Sequence, residues 1–253
     1  MSKGRAVRLN RETDLLKLVA IIAMFIDHLG AVLFPGVREM RIIGRIAFPI
    51  FCYTLAAGCC YTRSMAAYSV RLLIAALISQ PFYAVGLNHV HSYMRELTFA
   101  NPLLDSVKWY LYSFKTCNIM VALLLGQLVI WTLRDRKYLL TALLAFFILF
   151  IDSHGWITSS YGLKGILLMV LFWALIDRPL ASFVWVGGYM LTWALEGRGY
   201  EYFGISFGIQ LFAMAALPLI YLPLDRHFRM PKSVFYLFYP LHLLLIYFLN
   251  TMV

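Results

Sequence analysis

The sequence predicts an all-α polytopic integral membrane protein of about nine transmembrane helices, and three observations carry that prediction. Of the 253 residues 62% are hydrophobic and only 13% charged, with a mean hydropathy of +0.77, which excludes an ordinary soluble globule. The apolar residues gather in runs, most of them long enough to cross a bilayer, each bounded by charge, Pro or Gly. The basic residues behind the formal charge of +10 sit at the ends of these runs and between them, as the positive-inside rule requires. That placement argues against a nucleic-acid partner.

In chain order the segments are 13–34, 41–61, 67–87, 118–134, 138–152, 161–177, 179–196, 202–222 and 233–251. The first follows a basic stretch but is too long for a signal-peptide core and lacks a small-residue cleavage site, so it is expected to stay as the first anchor. The second follows a short turn around Pro35 and Gly36. Segments 138–152 and 161–177 are short, which suits a tilted, broken or re-entrant helix. Gly204-x-x-x-Gly208, Gly187 with Gly188, and Gly162 with Gly165 read as small residues that let helices approach closely. With no internal repeat or linker, residues 1–253 read as one transmembrane domain.

With the N-terminus inside, 14 of the 22 Lys and Arg residues fall on the cytoplasmic side and 8 outside, which favours that orientation. The connection from Asn88 to Asn118 is the one long link. Within it Leu103, Leu104, Val107, Leu111 and Phe114 recur at helical spacing, Asp105, Lys108 and Lys115 mark a polar side, and Trp109, Tyr110 and Tyr112 supply interfacial aromatics. A helix over 103–115 lying on the outer leaflet is expected. Cys52, Cys59, Cys60 and Cys117 contain no CxxC pair, and Cys52 and Cys59 stand roughly 10 Å apart on one helix, too far to bridge.

The strongest functional signal lies in the first run, where a greasy helix from Leu15 to Phe34 carries Lys17 near one end and Asp27 and His28 near the other. An ionisable group inside a membrane helix costs roughly 2.5–3.5 kcal/mol on insertion scales, so it faces a partner, a cavity or a substrate. Lys17 and His28, about three turns apart, share a face with about 16 Å between them along the axis. Neutral imidazole accepts a proton near physiological pH, which makes His28 the candidate general base; the alternative is a histidine bonded between helices. Asp27 is rotated by about 100° from His28, so its expected partner is Arg45, one turn after Arg41. Arg38 and Arg41 read as interfacial residues that snorkel or touch headgroups.

Arg63 and Arg71 flank the second connection, where they could hold an anionic cofactor or serve only as orientation signals. In the last run Tyr239 and His242 share a face, and Pro240 between them frees a backbone carbonyl and favours a bend toward a cavity. His242 either orients the site or bonds a neighbouring helix. His89, His91, Asp152 and His154 fall on the outer side, but their spacing matches no strong zinc signature and no metal is expected.

The segments LKLVAIIAMFIDHLGAVLFP and RIIGRIAFPIF, in the stretch opened by Leu15, resemble the opening signature of the TraX family of conjugal-transfer membrane proteins. RLLIAALISQPF (Arg71 to Phe82), NIMVALLLG (Asn118 to Gly126), YGLKGI (Tyr161 to Ile166) and FYLFYPLH (Phe235 to His242) extend the resemblance over nearly the whole chain. The family is similar in turn to the type 3 acyltransferases, whose first helix carries a basic residue, ten intervening positions and a histidine. Lys17 and His28 match that spacing, whereas Arg63 and Arg71 do not reproduce the arginine pattern of those enzymes.

The resemblance implies a membrane-embedded acyltransferase of the bacterial cytoplasmic membrane that moves an acetyl group from cytosolic acetyl-CoA, as TraX does to the amino terminus of a conjugative pilin. His28 becomes the implied base, with Asp27, Arg45, Tyr239 and His242 in the surrounding network and Lys17, Arg63 and Arg71 toward the donor. The expected partners are acyl-CoA, membrane lipids and an acceptor that is a pilin-like protein, a glycan or a lipid. Two other readings are a proton-coupled transporter, which would also need charges inside the bundle, and a non-catalytic component of an assembly apparatus. No pair of interrupted helices supports the transporter.

Overall fold

The structure, a computed structural model, describes residues 10, 13–87, 97, 99–153, 158–159, 161–196, 199–202, 204–224 and 228–252. The helices are α1 (Asp14–Val32), α2 (Arg38–Gly44), α3 (Ala47–Tyr61), α4 (Met65–Gly86), α5 (Pro102–Ser113), α6 (Ile119–Arg134), α7 (Tyr138–Ser153), α8 (Gly162–Ala174), α9 (Pro179–Glu196), α10 (Ala216–Tyr221) and α11 (Lys232–Met252). A 3-10 helix, Ile209–Ala215, leads into α10. Strands β1 (Thr116–Cys117) and β2 (Thr158–Ser159) pair in parallel, and β3 (Tyr200–Tyr202) and β4 (Ile205–Phe207) form an antiparallel hairpin. Among the described residues four stretches are long and apolar enough to cross a membrane: Asp14–Val32, Arg38–Tyr61, Met65–Gly86 and Ser233–Met252. Ile119–Arg134, Tyr138–Ser153, Gly162–Ala174 and Ile209–Tyr221 are apolar but shorter. The chain is a predominantly α-helical membrane protein, and among the described residues four of the nine expected segments are helices of spanning length.

Two expected segments are built differently. Segment 41–61 is interrupted at Arg45 and Ile46, four and three residues before Pro49, where the proline ring would meet the carbonyl of Arg45 in a continued helix. The chain tightens there, with Arg45 N–H donating to the Ile42 carbonyl at 3.1 Å and Ile46 N–H to the Ile43 carbonyl at 3.4 Å. Segment 202–222 is not one helix either. Its first third completes the β3–β4 hairpin, whose turn holds Gly204 at φ +74°, a conformation that glycine adopts without strain. Gly204 and Gly208 therefore serve a turn and a 3-10 start rather than a helix contact.

The chain divides into two compact units, Met1–Arg63 with Leu167–Phe235 and Ser64–Ile166 with Tyr236–Val253. In the first, α1 turns the stripe Leu16, Ala20, Ala23, Met24, Asp27 and Gly30 inward against α2 and α3. Two glycines set that contact. A Cβ on Gly30 would stand 2.6 Å from the Met40 Cβ, and one on Gly44 would overlap the Asp27 side chain. α3 buries Phe48, Ile50, Cys52, Leu55, Ala56 and Cys59, and Tyr53 meets Phe172 edge-on at 5.6 Å. None of the four cysteines is in a disulfide. Asn10, at φ +44°, gives Nδ2 to the carbonyls of Ile220 at 2.6 Å and Leu222 at 2.9 Å and takes the Leu224 N–H at 3.1 Å, which satisfies groups at the C-terminal end of α10.

In the second unit α4 packs on α6, and α6 on α7. Pro81 lies inside α4 and cannot donate to the Leu77 carbonyl four residues earlier; the Tyr110 hydroxyl on α5 donates to it instead at 2.9 Å. Beside it Gln80 gives Nε2 to the carbonyls of Ser113 at 2.7 Å and Thr116 at 3.0 Å. Its Oε1 accepts the Asn118 N–H at 3.1 Å and Nδ2 at 2.9 Å. Asn118 also donates to the Ala76 carbonyl at 2.8 Å and caps α6 through Met120 N–H at 2.9 Å. The helix expected over 103–115 is present as α5, started by Asn101 and Pro102, with Leu103, Leu104, Val107 and Leu111 exposed. Asp105 departs from its expected polar side: it is buried, accepts the Asn101 N–H at 3.2 Å and pairs with Lys108 at 3.6 Å, because it serves the helix start.

Candidate functional site

The site begins with the turn at Pro35 and Gly36, which brings α2 back against the end of α1. Asp27 lies on the buried stripe of α1 and is 7% exposed. An isolated carboxylate there would be costly, and two arginines answer it. Arg45 donates Nη2 to Asp27 Oδ1. Arg41 donates Nη1 to Oδ2 at 2.7 Å and, from the same nitrogen, to the Asp27 main-chain carbonyl at 3.0 Å. Arg45 Nε further donates to the Arg41 carbonyl at 3.1 Å.

The Asp27–Arg45 pair stands as its spacing predicts. Arg41 does not: read as an interfacial residue, it turns inward. Its position one turn before Arg45 puts both side chains on the stripe facing Asp27, and a carboxylate with two oxygens can accept from both. Arg38 is exposed.

His28 is half-buried and stands beside, not on, the inward stripe, so its ring departs from α1 in another direction than Asp27. Lys17, on the same side of α1, is half-buried as well. Its Nζ pairs with Asp14 Oδ1 at 3.0 Å and lies 5.2 Å from the Phe235 ring centroid, while Asp14 Oδ2 accepts the Met230 N–H at 3.1 Å. The cation at the far end of α1 is therefore held by a carboxylate that tracing the apolar run alone passed over. The i,i+3 spacing of Asp14 and Lys17 was the available signal.

Arg63 is exposed at the end of α3 in the first unit. Arg71, in the second unit, is exposed on α4 with its guanidinium 5.6 Å from the Tyr68 ring centroid. Tyr239 and His242 also belong to the second unit and are buried on α11, which runs as one helix through Pro240. His242 shares a hydrogen bond of 2.9 Å between Nδ1 and the Phe238 carbonyl; with that partner the proton sits on Nδ1. The ring stacks on Phe238 at 5.0 Å and meets Tyr239 at 5.4 Å, and Gly86 lets α4 approach the Leu243 carbonyl so closely that a Cβ would stand 2.6 Å from it. These contacts tie His242 to its own helix.

His89, His91 and His154 lie outside the described residues. Asp152 is exposed at the end of α7. Among the described residues no group of three His, Cys, Asp or Glu is arranged to hold a metal ion. Chemically, the first unit offers an imidazole in an apolar span, next to a carboxylate held by two arginines, with a paired ammonium three turns away.

No solved structure matches the chain. Among curated proteins it is 28% identical over 245 residues to a probable fimbrial assembly protein, FimC of serogroup H1, from Dichelobacter nodosus, which covers 91% of this chain and 92% of that one. It is 32% identical over 143 residues to an uncharacterised protein of Rickettsia prowazekii (strain Madrid E), where the match spans 52% of each, about half the length of that relative. The family model described as TraX protein matches residues 12–250, and the chain belongs to the TraX family.

Proposed function

We propose that the protein is a membrane-embedded acetyltransferase in which His28 removes the proton from an amine or hydroxyl acceptor as that group attacks the thioester carbonyl of acetyl-CoA. A bond from acceptor nitrogen or oxygen to the acetyl carbon forms, the carbon–sulfur bond breaks, and the CoA thiolate leaves with the proton that His28 returns. The observation that carries the reading is the half-buried His28 beside the arginine-held Asp27 in an apolar helix of a TraX-family chain. Asp27 and Arg45 form the ion pair beside the site. Lys17 and Arg63 are assigned to the donor's phosphates, Lys17 on the His28 face of α1 and about three turns from it. The scheme draws on residues of the first unit alone.

The test is label transfer from acetyl-CoA to a membrane extract by the protein in nanodiscs. His28→Ala is expected to lower the rate by about 10²- to 10⁴-fold, the range general acid–base groups contribute. Equal transfer by the two proteins would sink the proposal.

A second reading, a non-catalytic component of pilus or conjugation machinery, is favoured by the likeness to the Dichelobacter protein, a probable fimbrial assembly protein. On that reading no label moves, and His28→Ala supports pilus assembly as well as the parent.

A further inference from the structure

We infer that Arg41 is a positioning residue for His28, holding the Asp27–His28 peptide through its carbonyl rather than only neutralising Asp27. The consequence for turnover rests on the acetyltransferase reading; the geometry does not.

Neutralising one carboxylate takes one cation, and Arg45 already supplies it, with its side chain 11% exposed. Arg41 adds a bond that an ion pair does not need, from Nη1 to the Asp27 main-chain oxygen. That oxygen belongs to the planar unit that also contains the nitrogen and Cα of His28, so fixing it fixes the point from which the imidazole departs. A carbonyl has two lone pairs, and the side-chain bond adds to the helix ladder without replacing it. The location matters because α1 ends at Val32, four residues after His28, where helices fray unless something outside them holds the last turns.

The surrounding contacts turn this bond into a clamp. Arg45 Nε holds the carbonyl of Arg41, so the clamping residue is itself held from one turn further on. Gly44 and Gly30 bring the two backbones together on either side of the Asp27–His28 peptide, with no room for a Cβ at either position. Sliding α2 by one residue would break every one of these contacts together. His28 thus stands on a part of α1 that is held from outside by Arg41 and by the close approach of α2.

The test uses the full-length protein in nanodiscs, with Arg41→Met, Arg41→Lys and His28→Ala, and two readouts. One is transfer from labelled acetyl-CoA, split into kcat and donor KM. The other is the rate at which diethyl pyrocarbonate modifies His28, read by mass spectrometry with buried His242 as internal reference. Arg41→Met is expected to lower kcat by about ten- to a hundredfold with donor KM within about twofold, since small misplacements of a reacting group cost that much. It is also expected to raise the His28 modification rate by about threefold or more, as the released turn frays. Because both bonds leave one nitrogen, an ammonium can reproduce them, and Arg41→Lys should recover much of both readouts.

Parental kcat with parental His28 reactivity in Arg41→Met would overturn the inference, as would a raised donor KM at unchanged kcat, which would make Arg41 a donor-binding group. If the parent protein transfers no label, the acetyltransferase reading falls and His28 reactivity alone decides the clamp. Should Arg41→Met fail to fold, Gly44→Ala, which wedges the Asp27 side chain aside, is expected to shift the same readouts in the same direction, and no shift would overturn the inference.

Discussion

The two units each bury a polar cluster, and the clusters are built on opposite principles. In the second unit Gln80 and Asn118 are both 0% exposed and neutral, and their amides take main-chain carbonyls and N–H groups, among them those at the end of α5 and the start of α6. In the first unit the cluster is ionic, one carboxylate between two guanidinium groups, with Arg41 34% exposed at its outer edge. A neutral clasp closes backbone bonds and has little left to offer a ligand. An ionic cluster in an apolar span costs desolvation that neutral amides avoid, and it stands next to the one half-buried imidazole of α1. The difference makes the second cluster architectural and is the reason the proposed chemistry is placed beside the first.

The largest effect that would sharpen this contrast belongs to Asp27. Asp27→Ala leaves Arg41 and Arg45 facing one another without the carboxylate, and breaking a buried pair from one side costs about 3–5 kcal/mol. Unfolding in mixed detergent and SDS micelles should show that loss, with Asp27→Ala/Arg45→Met recovering part of it. A cost below about 1 kcal/mol would place the cluster among solvated surface pairs and dissolve the contrast.

Next comes Asn118→Ala, which removes the α6 cap and leaves the Ala76 carbonyl and Gln80 Oε1 short of a donor. Each such loss is worth about 1 kcal/mol, so about 2 kcal/mol of stability should go, while transfer per folded molecule stays at the parental level. Lost transfer in a variant of parental stability would mean that the neutral clasp also serves the chemistry.

How much of this could be read from sequence depended on what marks a residue. The apolar period of α1 and the short turn at Pro35 and Gly36 made the Asp27–Arg45 pair legible, because charge in a greasy helix is rare and a short turn limits the partners. Arg41 was misassigned because a residue near a membrane edge has two good solutions, snorkelling and pairing, and spacing does not choose between them. Asp14, at the edge of the first segment, carries less signal than the charges deeper in it, and Gln80 and Asn118 carry little because an amide among apolar residues is a weak signal. The segment 202–222 misled through its hydropathy: a β-hairpin of aromatic and branched residues is as apolar as a helix, and only Gly204 hinted at the turn. His28 stands out by type and spacing, and the structure places it half-buried on α1.

The smallest effect tests whether the second unit closes its backbone bonds as locally as the contrast requires. Pro81 withholds an N–H from the Leu77 carbonyl, and the Tyr110 hydroxyl replaces it across α4 and α5 at 2.9 Å. Tyr110→Phe deletes only that donor, and because the bond lies near the surface the cost should be about 0.5–1 kcal/mol. Pro81→Ala restores the helical N–H, so Leu77 no longer depends on Tyr110, and in that background Tyr110→Phe should cost almost nothing. A double-mutant cycle read by unfolding in micelles therefore expects a coupling of about 0.5 kcal/mol or more between positions that do not adjoin in sequence. Zero coupling would mean that water or lipid headgroup already serves the Leu77 carbonyl, and the hydroxyl would then be an anchor of α5 rather than a replacement for the missing hydrogen bond.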